Sequence, residues 1–127
     1  MAIEDVFYQI ISNVTDIQDA VGGRIYFEHN ANQDETDYLV YSKSGHQRSL
    51  TIERTVDINV ASFQVTMYSP SEATTRDVRD KLVKALHGTE SNDYGTNIQL
   101  ISVDSDSSGY NVDPPLYQAN LFISLTY

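Results

Sequence analysis

Three histidines, eighteen carboxylates and no cysteine define the chemistry open to this chain of 127 residues. His29, His46 and His87 stand at spacings that bring no second His, Asp or Glu onto one face as a metal set, and the helical zinc signature is absent. Without cysteine there is no thiolate nucleophile, no disulfide framework and no cysteine zinc site. Gly22-Gly23 lacks the further glycines and the lysine of a phosphate loop, and it ends a helical pattern where a phosphate site would begin one. Serines are plentiful, but none sits in a nucleophile elbow. Paired-carboxylate catalysis stays open, because any two of the acids can meet in space. The expectation is a protein that is not an enzyme and holds no cofactor.

One segment has the order of a metal loop. Asp104-Ser105-Asp106-Ser107-Ser108-Gly109 supplies oxygen ligands at positions one, three and five with glycine at six, the first half of a calcium loop. The bidentate Glu of position twelve is replaced by Pro115, and the flanks read as strands where a calcium loop has helices. The other reading is a solvated Ser/Asp/Gly connection, from Asp104 to Pro115, closed by Pro114-Pro115.

The elements around these residues are legible from periodicity. Ile3, Val6, Phe7, Ile10, Ile11, Val14, Ile17 and Val21 recur at steps of three and four, predicting one amphipathic helix that Gly22-Gly23 ends. Asp16 and Asp19 oppose its dipole, at a cost of a few tenths of a kcal/mol. Residues 24–27 and 38–42 read as strands, separated by a polar loop over 30–37. From Leu50 to Val60 the apolar residues occupy even positions, and Phe63, Val65 and Met67 then occupy odd ones. Alternation cannot change face without a turn or a bulge, so 45–60 reads as an extended hairpin excursion and 61–68 as a core strand.

A second helix is expected after Ser69 as N-cap, with Pro70 at its first position and Glu72 completing a capping box. Its stripe is Val78, Leu82, Ala85 and Leu86, and Gly88 stops it. Glu72–Arg76, Asp77–Lys81 and Asp80–Lys84 are acid-first pairs four apart on its solvated face. His87 reads as a favourable partner for the helix dipole. A polar loop over 89–96 leads to a strand containing Ile98, Leu100, Ile101 and Val103. The chain closes on an alternating strand from Tyr117 to Tyr127, which ties the C-terminus into the sheet. The order predicts an α+β fold in a single domain over 1–127: two helices packed on one face of a mostly antiparallel β-sheet, with the hairpin excursion projecting.

Charge excludes further classes. Eight Lys and Arg stand against eighteen Asp and Glu, a formal net charge of −10. All eight cations fall within 24–84, and both ends of the chain carry acids alone. Such a chain is a poor phosphate binder. No apolar run approaches the ~18–20 residues of a membrane span, and the acidic start, Met1-Ala2-Ile3-Glu4-Asp5, is unlike a signal or transit peptide.

Several patterns together resemble the small tail-completion proteins of long-tailed phages, which include tail terminators and tail-to-head joining proteins. They are the opening helix with Val21-Gly22-Gly23-Arg24-Ile25-Tyr26, then Tyr38-Leu39-Val40-Tyr41, and Phe63-Gln64-Val65-Thr66-Met67-Tyr68 leading into the Ala73 to Leu86 helix. Asp113-Pro114-Pro115-Leu116-Tyr117 and the alternating strand complete the match. The Asp-rich, Lys-poor surface and the Ser/Asp segment at 104–108 depart from the family's usual pattern.

The resemblance implies a structural virion protein without catalysis. Its relatives look like ring builders, commonly hexamers, that cap the head-proximal end of the tail tube, stop its polymerisation and dock onto neck or connector proteins. The partners implied are further copies of the chain, the tail tube protein and a neck protein. DNA passes through without specific binding, and no membrane is involved. The place implied is the virion tail or neck, after assembly in the host cytoplasm. A closed ring needs a heterologous interface, one patch on each side of the subunit. Arg48, Thr51, Glu53 and Arg54 in the hairpin excursion are the contact residues expected; the other reading is an ordinary exposed hairpin. The acidity has two explanations, a DNA-repelling lumen or the surface of a virus from a salty habitat. Two alternative functions remain at this level: a stopper or adaptor of the neck, and an acidic monomeric binding module such as a DNA mimic.

Overall fold

The computed structural model describes residues 3–21, 24–27, 37–51, 54–91, 97–111 and 116–127. Side chains at 46–51, 54–58, 91 and 111 lie outside this description. Elements run in the order α1 (Ile3–Ser12), α2 (Thr15–Val21), β1 (Ile25–Phe27), β2 (Tyr38–Thr51), β3 (Arg54–Ser69), α3 (Glu72–Leu86), β4 (Thr89–Ser91), β5 (Ile98–Asn111) and β6 (Leu116–Thr126). The strands form one sheet in the order β1-β2-β3-β6-β5-β4. Its pairs are antiparallel except for β1 with β2. This is the α+β arrangement expected, with the helices packed on one face.

The helical stripes meet the odd positions of the central strands. Ile3, Val6, Phe7, Ile10 and Ile11 of α1, and Ile17 and Val21 of α2, are buried against Phe63, Val65, Met67, Leu121, Ile123 and Leu125. Phe7 is fully buried, and its ring stacks on Phe63 at a centroid distance of 4.2 Å and an interplanar angle of 11°. Tyr41 leans on the same ring at 5.8 Å, and Phe27 lies 5.2 Å from Tyr41.

The structure differs from the sequence reading in several places, each with a physical reason. The first helix is two. Val14 keeps the apolar phase, but the ladder is interrupted where the Asn13 Nδ2 donates to Gln9 O at 2.7 Å and Gln18 Nε2 donates to Ser12 O at 2.6 Å. Polar side chains that satisfy carbonyls in this way let the helix end and restart. The expected stop at Gly22-Gly23 lies outside the described residues.

The N-cap of α3 is Ser71 and not Ser69: its Oγ accepts from Thr74 N, while Ser69 Oγ accepts from Ser71 N at 3.1 Å. Glu72 is thereby the first helical residue, and no capping box forms. Thr75, Val78, Leu82 and Leu86 are its buried residues, so Ala85 drops out of the expected stripe. The pairs Arg76–Glu72 at 3.5 Å and Lys81–Asp77 at 3.0 Å are present, but Asp80 turns to its neighbour Arg79 at 3.2 Å and not to Lys84. Gly88, with φ +78°, makes the stop as expected.

His87 is the C-cap of α3, and its Nδ1 accepts a hydrogen bond from Val103 N at 3.0 Å, tying the end of α3 to β5. The loop expected over 89–96 begins as strand β4, with Thr89 opposite Ile101 and Ser91 opposite Ile98. The loop expected over 104–115 is largely strand: β5 continues to Asn111, pairing with β6 from Leu100–Thr126 to Asn111–Leu116.

The phase change near residue 60 has a different origin from a turn in β3. From Asp57 to Tyr68 no β3 residue is skipped in the ladder with β2, and the extra residue at the shift is Ser44, on β2. β3 is one strand that leaves the helix-covered region. Positions 61, 63, 65 and 67 take the helix face.

Burial acts on Tyr41, which is 6% exposed. Its hydroxyl pKa is raised above 10.0, first by desolvation and then by the negative Asp5, by Tyr8 and by Glu4. A raised folded-state pKa means the folded chain holds this proton more tightly than the unfolded one. Its contribution is present below pH 10 and is lost as pH rises through the folded value. Urea titrations should therefore show Tyr41→Phe losing less of its stability between pH 9 and about 11 than the parent chain does.

Candidate interaction surface

Three surfaces stand out among the described residues. The first is an arm. β6 accompanies β3 only as far as Val60–Thr126, and Asn59 and Tyr127 then exchange reciprocal backbone bonds of 2.8 Å. Beyond that point β3 has, among the described residues, β2 alone as neighbour, through Ser49–Ile58 and Leu50–Asp57 to Thr51–Arg54. Five residues from Asn59 to Arg54 carry this ribbon roughly 17 Å past the three-stranded sheet. A two-stranded ribbon is marginal in water by itself.

Of the expected contact residues, Arg48, Thr51 and Arg54 fall on this arm. Arg48 is paired with Asn59 at its base, and Thr51 with Arg54 at its tip. The ladder therefore places two of the four at the tip and one at the opposite end of the ribbon. Glu53 lies outside the described residues, as does His29. The excursion was visible in the sequence, but its length was not, because 38–42 and 61–68 read as separate strands.

The second surface is the face of the sheet away from the helices. Tyr26, Tyr38 and Tyr68 form an aromatic row across β1, β2 and β3, with centroids 6.3 Å and 4.9 Å apart. Beside it, Thr66 Oγ1 donates to Asn120 Oδ1 at 2.7 Å, Gln64 Nε2 donates to the same oxygen at 3.5 Å, and Asn120 Nδ2 donates to Ser107 Oγ at 3.2 Å. Further along, Ser102 Oγ donates to Asp104 Oδ1 at 2.9 Å and Ser124 Oγ donates to Asp104 Oδ2. The hydroxyl ladder is what the sequence reading missed; its signal was the even-numbered Gln118, Asn120, Ser124 and Thr126 of β6. Thr66 is only 6% exposed, so Asn120→Ala would leave a nearly buried hydroxyl without its acceptor. A loss of about 1–2 kcal/mol is expected by chemical denaturation.

The third surface is the far end of the β5–β6 hairpin. Tyr110 and Tyr117, 54% and 37% exposed, face each other with ring centroids 4.8 Å apart. A cleft of about 60 Å³ beside them is lined by Glu72, Arg76, Arg79, Gly109 and Tyr117, among others.

Among the described residues, no three His, Asp or Glu side chains gather as a metal group. The segment from Asp104 to Asn111 is an extended strand, which spreads its side chains over both faces of a sheet and does not wrap them around a cation. No helix among the described residues is long and apolar enough to cross a membrane. Among the described residues the chain presents a projecting ribbon, an open sheet face and uncovered sheet flanks.

Comparison with known proteins gives the chain its class. The family model described as tail completion protein gp17 matches residues 7–127, and the chain belongs to this family. It is accordingly a structural protein of phage tails, and the family speaks for a non-enzymatic role. Among solved structures, a chain from the virion of a native gene transfer agent particle superposes with a TM-score of 0.72 at 13% identity, covering 94% of this chain and 89% of that one. At that identity the likeness is one of fold. No curated protein matches.

Proposed function

We propose that this chain, acting as one domain over 1–127, forms a ring at the head-proximal end of a tail tube. The ring ends tube polymerisation and joins the tail to the neck or connector. The observation that carries the reading is the two-stranded arm in a member of a tail-completion family. A ribbon that stands ~17 Å off its sheet gains its stability from a neighbour. The apolar positions Leu50, Ile52, Val56, Ile58 and Val60 give it an apolar phase of its own. Arg48, Thr51, Glu53 and Arg54 are the contact residues proposed along it, and the partners are adjacent copies and the tube protein.

The channel role uses the charge. Acids at both ends of the chain and a net charge of −10 disfavour phosphate grip. DNA then passes the ring without a bound state to escape from. The site of action is the virion, at the tail or neck, after assembly in the host cytoplasm.

Light scattering and negative-stain imaging of the purified chain test this reading. Six copies of the 14.3 kDa chain give a closed ring of about 86 kDa. A closed ring of that order is the expected result. A strict monomer, both alone and with assembled tube, contradicts it and favours an acidic binding module.

A further inference from the structure

Both flanks of the sheet run without a partner over long stretches. β1 covers β2 only from Leu39 to Tyr41, and among the described residues no strand pairs with the outer side of β2 from Ser42 to Thr51. β4 covers β5 only between Ile98 and Ile101, and among the described residues no strand pairs with the outer side of β5 from Ser102 to Asn111. A row of unpaired N–H and C=O groups is a template for another strand.

The two edges are complementary in charge and direction. Segment 42–51 contains Lys43 and Arg48 and no acid, whereas 102–111 contains Asp104 and Asp106 and no cation. Lys43 also pairs with Glu4 at 3.1 Å, and Asp104 is engaged by two serines, so Arg48 and Asp106 carry the simplest contrast. β2, β3, β6 and β5 are successively antiparallel. A neighbour brought alongside by a rotation about a ring axis nearly keeps its orientation, so its β2 meets this β5 antiparallel. That is the more stable pairing, and the contact is heterologous, as ring closure requires.

The offset between the edges also fits a ring. One row of the sheet runs Gly45–Ser62–Ser124–Ser102, so the free part of β2 lies mainly on one side of this row and the free part of β5 on the other. Full overlap slides the neighbour about six residues, roughly 20 Å, along the strands. Over four strand spacings of ~4.8 Å this is a tilt of about 45°, at the upper end of the range for strands in closed barrels. One residue from full overlap, position 48 comes opposite position 106, and cross-strand partners share a face.

We propose that β2 of one copy, from Ser42 to Thr51, adds antiparallel to β5 of the next, from Ser102 to Asn111, closing the ring with one continuous sheet. This rests on the ring reading above.

Hydrogen exchange of the full chain, followed from dilutions where it is monomeric to concentrations where it assembles, tests the pairing. Outward amides within 102–111 should slow by about tenfold or more on assembly. In parallel, Asp106→Arg should raise the concentration for half-assembly by about tenfold. Adding Arg48→Asp should bring it back toward the parent value, with the monomer's melting temperature as the control for folding. Rings whose 102–111 amides exchange as fast as in the monomer, or that ignore Asp106→Arg, overturn the pairing and leave the ring intact. A chain monomeric under every condition overturns the ring itself.

Discussion

A Phe7→Ala variant is expected to lose about 3–5 kcal/mol of unfolding free energy, measured by urea or guanidinium titration. Phe7 has no exposed surface and stacks face to face on Phe63, with Tyr41 closing the side. Truncation removes the transfer free energy of the ring and leaves a cavity between α1 and β3. Neither wall can collapse into it readily, because Val6, Ile10 and Ile11 already occupy the rest of the interface. Tyr8→Ala, one residue on and only partly buried, should cost clearly less. A Phe7 variant as stable as the parent would mean that α1 does not cap the sheet in this way.

Replacing residues 49–58 by Asn-Gly is expected to abolish assembly while sparing the fold. Arg48 and Asn59 are ladder partners, so a two-residue turn of this type can close the shortened hairpin. Asn59 keeps its reciprocal bonds with Tyr127, and the core residues among those described lie outside the excised stretch. The melting temperature should move by no more than about 5 °C. Light scattering should then show a monomer at concentrations where the parent forms rings. Rings formed by the shortened chain would remove the arm from the interface.

Elements whose side chains follow one period were readable from the sequence. The burial of Ile3, Val6, Phe7, Ile10 and Ile11 follows the helical stripe, and β6 alternates as its sequence does from Ala119 onward. What escaped reading was decided by partners distant in the chain. Asp104 to Asn111 is poor in β-formers, and it is a strand because β6 offers a ladder along its full length. The break after Ser12 is invisible to periodicity because Val14 stays in phase, and only hydrogen bonds to Gln9 O and Ser12 O reveal it. The phase change at residue 60 was visible, but its cause was not. It marks where one strand passes from under the helices into the arm.

The candidate surface was legible to a similar degree. Arg48, Thr51 and Arg54 do fall on the ribbon, because even-position apolar residues outside the core phase flagged it. Its partnerless length, and the free flanks of β2 and β5, depend on where β6 and β1 stop. Termination of a ladder has no local sequence signal here. The same holds for the charge contrast of the two flanks: Lys43 and Arg48, Asp104 and Asp106 are ordinary surface residues until the sheet order sets them on opposite sides.

The most direct measurement is electron imaging of particles assembled with this protein deleted, beside particles carrying it. If the chain closes the head-proximal end of the tube, deletion should yield overlong tails and tails without heads, with the parent length restored when the protein is supplied. Tails of normal length beside unsealed heads would contradict this and place the chain on the head side of the neck.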